Sequence, residues 1–109
     1  MAEWKDAETD LRRRWSELGL DAEMVPGSGA GIRKGDVRTR DLMGESKQTS
    51  RISYSVTEAT MAKLEAQGHQ SLRTGILVVT LGTGRRIYVM DAHIAEEWIE
   101  KLAAHGELQ

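Results

Sequence analysis

The stretch Gly75-Ile-Leu-Val-Val-Thr-Leu81 leaves this chain few folds to choose from. It is apolar and β-branched at consecutive positions rather than alternate ones. A strand of that pattern must bury both of its faces, so it belongs inside a sheet with layers on either side. Its core, Ile76-Leu77-Val78-Val79, is far too short to cross a bilayer, which takes about 20 residues as a helix. Gly82-Thr83-Gly84 then reads as a turn, and Arg86 to Met90 as the return strand of a hairpin. With 109 residues, the chain fits a single domain spanning its whole length.

The other elements follow from periodicity. Trp4, Ala7, Leu11, Trp15 and Leu18 recur at helical spacing, predicting an amphipathic helix over 3–19 with Gly19 as its stop. Ala22 to Val25 is short and strand-like. Pro26 to Gly35 holds four glycines and the only proline, which makes it a loop. Asp36 to Thr39 and Leu42 to Thr49 read as two strands around a tight connection, and Ile52 to Val56 as a strand or an extended stretch. A helix is expected over Thr57 to Ala66, with Val56, Met61 and Leu64 on its apolar side. Asp91 is placed to cap a last helix running to Ala104, with Ile94, Trp98 and Leu102 facing inward. The order α-β-β-β-α-β-β-α predicts an α/β fold: a mixed sheet flanked by helices.

The composition excludes some chemistry. There is no cysteine, hence no disulfide, no thiolate metal site and no cysteine nucleophile, which fits a cytoplasmic protein. The charged start, Met1-Ala-Glu-Trp-Lys-Asp6, has no signal-peptide core. His69, His93 and His105 lie far apart without ligand spacing, which argues against structural zinc. The net charge is −2, but it is unevenly spread. Residues 31–51 carry Arg33, Lys34, Arg38, Arg40, Lys47 and Arg51 against Asp36, Asp41 and Glu45, while 91–109 hold five acids and one lysine. A basic middle and an acidic end either attract phosphate to one side or are scattered solvated charge.

The most suggestive chemistry lies in that middle segment. Strand residues alternate faces, so Glu45 and Lys47 project together, and a short hairpin brings Asp36 beside them. Paired carboxylates suit Mg²⁺, a hard cation that takes oxygen ligands, polarises a phosphodiester and acidifies bound water. A neighbouring lysine orients that water and offsets developing negative charge. Glu-x-Lys alone carries little weight, since Glu3-Trp4-Lys5 repeats it. An exposed hairpin with ordinary surface charges also accounts for these three residues. In the first helix Glu8 falls within about 40° of the centre of the apolar stripe. Such a carboxylate needs a partner: a metal or its water, or else Arg12 one turn on.

The loop before Asp36 carries Ser28, Arg33 and Lys34 and permits close backbone approach to a phosphate, though it lacks P-loop spacing and is equally a plain surface loop. Arg38, and after Lys47 the residues Gln48, Thr49, Arg51 and Tyr54, offer polar and cationic contacts for a DNA backbone.

Taken in order, Glu8 in a first helix, Val-Pro-Gly-Ser-Gly, Lys-Gly-Asp-Val and Glu-Ser-Lys-Gln-Thr resemble the Holliday junction resolvase branch of the PD-(D/E)XK nucleases, known from archaea and viruses. The resemblance spans most of the chain and is clearest over residues 7–49. It implies a restriction-endonuclease-like core and an active site of Glu8, Asp36, Glu45 and Lys47, with Ser28 matching a loop serine that acts in some members. It further implies one or two Mg²⁺ ions (Mn²⁺ substituting), a homodimer, and cleavage of opposing strands of a four-way DNA junction, in the cytoplasm or, for a virus-encoded protein, in the host cell. Flap, single-stranded or duplex DNA as substrate, or a non-catalytic DNA-binding module of the same fold, are the alternatives. Two features depart from the family: Gly35 rather than proline precedes Asp36, and the overall charge is acidic. The second bears on the substrate more than on the chemistry.

Overall fold

A computed structural model describes residues 6–25 and 36–109. In chain order the elements are α1 (Asp6–Glu17), β1 (Glu23–Val25), β2 (Asp36–Arg38), β3 (Leu42–Gln48), α2 (Glu58–Ser71), β4 (Thr74–Thr80), β5 (Arg86–Val89) and α3 (Ala92–Ala104). The protein is a small α/β domain: a five-stranded mixed sheet, ordered β1-β2-β3-β4-β5, with three helices. β3 and β4 are parallel, which requires the crossover that α2 supplies, and every other neighbouring pair is antiparallel.

β4 explains the apolar run. Ile76 and Val78 join Leu11, Trp15 and Val37 in one cluster, and Leu77 and Val79 join Met43 and Leu64 in another. Alternate residues of one strand therefore feed two cores, one beneath α1 and one beneath α2. α1 docks through Ala7, Leu11 and Trp15, spaced four apart and all buried. The Trp15 indole lies against Gly44 of β3, where a Cβ would sit 2.7 Å from its Cη2, and its Nε1 donates to the Tyr88 hydroxyl at 2.8 Å. On the other side Gly75 lets α2 approach β4, because a Cβ there would lie 2.8 Å from Leu64 Cγ.

Several sequence expectations are revised. Leu18 lies past the end of α1 and is exposed, while Gly19 takes the left-handed conformation (φ 103°) that stops the helix as expected. Ile52 to Val56 joins no strand, and both end residues are exposed. α2 runs to Ser71, well past Ala66, with Thr57 as its N-cap accepting from the Thr60 amide. The Asp91 side chain makes no capping hydrogen bond, and α3 has no buried residue. Trp98 (37% exposed) and Leu102 (42%) do not face a core, and Ile94 is only half-buried. Among the described residues no helix is long and apolar enough to cross a membrane.

Candidate metal centre

The turn between β2 and β3 fixes the relation of the two acids. The Thr39 amide donates to the Leu42 carbonyl (2.9 Å), and the Leu42 amide returns to Thr39 Oγ1 (3.0 Å). Arg73, arriving from beyond α2, donates Nε to the Thr39 carbonyl at 2.7 Å and pins the turn from outside. The register that results pairs Asp36 directly with Glu45, and Arg38 with Met43. Directly paired residues project to the same face. Glu45 is in turn level with Leu77, and Lys47 with Val79, so Asp36, Glu45 and Lys47 share the face that carries the second core cluster.

Both acids are largely shielded, with side chains 22% (Asp36) and 23% (Glu45) exposed. Each has a cation. Lys47 Nζ lies 3.1 Å from Glu45 Oε2, and an Arg38 guanidinium nitrogen 3.6 Å from Asp36 Oδ2. Burial still pushes the Asp36 carboxyl above its ordinary range. The Glu45 charge opposite raises it further, Arg38 pulls it down, and Glu8 adds a smaller upward push. Glu8 is half-buried on α1, a helix packed on the opposite face of the sheet, yet its charge is felt at Asp36.

The four expected residues are thus gathered in one electrostatic neighbourhood, but not drawn tight. The oxygens of Glu8, Asp36 and Glu45 are not a set lying within 4.8 Å of one another. Adjacent oxygens around Mg²⁺ stand roughly 2.9 Å apart, from metal–oxygen bonds of about 2.0–2.1 Å in octahedral geometry. Asp36 and Glu45 are placed by strand register, and their side chains are paired with Arg38 and Lys47 respectively. The donor set of hard carboxylate oxygens fits Mg²⁺ or Mn²⁺, which keep several waters and need only one or two protein carboxylates.

The residues expected to contact DNA are spread more widely. Ser28, Arg33 and Lys34 lie outside the described residues. Arg38 is engaged with Asp36. Gln48 alternates to the α1 face of the sheet, level with Thr80 and through it Arg86, and its Oε1 is buried without a hydrogen-bond partner. Thr49 Oγ1 accepts from the Arg51 amide at 3.1 Å, and Arg51 is exposed. Tyr54 packs against the cluster of Met43, Leu64, Leu77 and Val79. No protein-family model matches this chain, and a search of curated proteins finds no match either.

Proposed function

We propose that this protein is a Mg²⁺- or Mn²⁺-dependent DNA endonuclease with a restriction-endonuclease-like core, whose substrate is a branched duplex such as a four-way junction. One observation carries the proposal: Asp36 and Glu45 face each other across β2 and β3, with Lys47 on the same face and the charge of Glu8 acting on Asp36. In this reading Asp36 and Glu45 hold the metal, and Glu8 binds the metal or its water. A divalent ion held there would supply Lewis acidity toward the phosphodiester, and Lys47, 3.1 Å from Glu45, would orient the attacking water. The choice of branched DNA rests on the sequence resemblance. The apolar side chains on α3 (Trp98, Ile99 and Leu102) and on β5 (Ile87) are surface suited to the second subunit of a homodimer.

The test uses the purified full chain with labelled four-way junction, flap and linear duplex, each with Mg²⁺ or Mn²⁺. Junction cleavage is expected to exceed cleavage of the other two. Asp36→Asn is expected to bind DNA without cutting it, and Lys47→Ala to cut about 100-fold more slowly. Absence of cleavage of every substrate by the unaltered chain, at any metal concentration, overturns the proposal. The pairing of both acids with cations favours one second reading, a DNA-binding module that does not cut. It predicts equal junction binding by the unaltered chain and Asp36→Asn, independent of metal.

A further inference from the structure

Glu65, Asp91 and His93 come together at the junction of α2 and α3. One ligand atom from each lies within 4.8 Å of the other two, the only such group among the described residues. Glu65 projects from α2, Asp91 is the N-cap of α3 and His93 its second residue. Asp91 leaves its ordinary work undone, since its carboxylate makes no capping hydrogen bond to the helix it precedes. Neither Glu65 nor Asp91 is in an ion pair among the described residues, and the His93 imidazole lies within reach of both carboxylates.

We infer that Glu65, Asp91 and His93 form a second metal site, distinct from the acids of β2 and β3, which takes a divalent transition cation of the Zn²⁺ type and clips α3 to α2. The imidazole sets the class. Mg²⁺ and Ca²⁺ take oxygen donors, whereas one nitrogen with two carboxylates suits Zn²⁺, with a water completing the tetrahedron. Metal–ligand bonds of about 2.0–2.1 Å put tetrahedral neighbours roughly 3.3 Å apart. The three side chains must therefore close by up to about 1.5 Å from their spacing of at most 4.8 Å. Glu65 and His93 are exposed, and a rotamer adjustment achieves this without moving core atoms. α3 gains most from such a clip. It has no buried residue and packs only lightly on the rest of the domain, so apolar burial alone holds it weakly.

The experiment is a Zn²⁺ titration of the full chain against a chromophoric chelator, paired with hydrogen exchange of the α3 amides. Both are run on the unaltered protein, His93→Ala, Glu65→Gln and Asp36→Asn. His93 and Glu65 are exposed, so these two substitutions leave the core intact. Expected are Zn²⁺ binding that weakens at least about tenfold in His93→Ala and in Glu65→Gln, a loss on the scale that even outer-shell partners cause. Asp36→Asn should retain this binding, and Zn²⁺ should slow exchange in the first turns of α3 only where His93 and Glu65 are both present. The inference is overturned if the unaltered chain takes no Zn²⁺, if His93→Ala binds it equally well, or if Zn²⁺ leaves α3 exchange unchanged.

Discussion

Replacing Asp36 by Asn should stabilise the metal-free protein. The substitution keeps the shape of the side chain and removes its charge. Burial first, then Glu45 and Glu8, hold the Asp36 carboxyl above its ordinary range, with Arg38 working against them. The sign follows from linkage. Well below the ordinary carboxylate range, both folded and unfolded chains carry the proton and Asp36 costs nothing. As pH rises, the unfolded chain ionises first, and the cost of charging the folded site builds until pH passes the raised folded value. It is then fully present at neutral pH, where asparagine escapes it. Like charges directly opposite on adjacent strands cost on the order of 0.2–1 kcal/mol. Loss of the partly exposed 3.6 Å contact with Arg38 returns a few tenths of a kcal/mol. The net gain is about 0.5 kcal/mol, or roughly 2–4 °C in Tm for a domain of this size. Thermal melts followed by circular dichroism in low salt with EDTA measure it. Asp36→Asn should melt higher near neutral pH, and the difference should vanish by about pH 3, below the ordinary carboxylate range. Mg²⁺ should then raise the Tm of the unaltered protein more than that of the variant. A lower Tm for Asp36→Asn near neutral pH without metal would refute the claim that this acid is held at a cost to the fold.

Two further substitutions test how the site is supported. Gly44→Ala drives a methyl to within 2.7 Å of the Trp15 ring, itself buried and bonded to Tyr88, and should cost about 1–3 kcal/mol, read as a lower urea midpoint together with a shift in tryptophan emission. Arg73→Ala removes the 2.7 Å hydrogen bond that pins the Thr39 carbonyl and should cost about 1.5–3 kcal/mol. Its distinguishing sign is faster amide exchange at Thr39 and Leu42, with no matching change in β5.

The sheet was readable in the sequence because its signals are local. Gly75 to Leu81 announces a strand buried on two faces, and the two-residue periodicity of Glu45 and Lys47 puts both on one side. The opposition of Asp36 and Glu45 follows from a connection so short that few registers are available. The errors fall where tertiary context decides. α3 has an amphipathic pattern that reads as core-facing, but periodicity states only that a helix has an apolar side, not that this domain covers it. Tyr54, read in sequence as a DNA contact, is half-buried against the cluster of Met43, Leu64, Leu77 and Val79, packing that the local sequence does not signal. Glu65, Asp91 and His93 gave no signal at all: two lie close together in the chain, but the third comes from another helix.

The same separation of local from tertiary signals explains how charge is arranged around the acids. Asp36 and Glu45 lie on strands whose neighbours, Val37 and Met43, are fully buried, so the acids cannot move apart without dragging the core with them. Their repulsion is met instead by side-chain cations, Lys47 and Arg38, each two residues along the same strand and therefore on the same face. In the proposed metal-dependent reading, a divalent ion would enter by displacing these counter-charges rather than by deforming backbone. A surface hairpin with incidental charges has no need of such shielding, and would leave its carboxylates in water rather than about four-fifths covered.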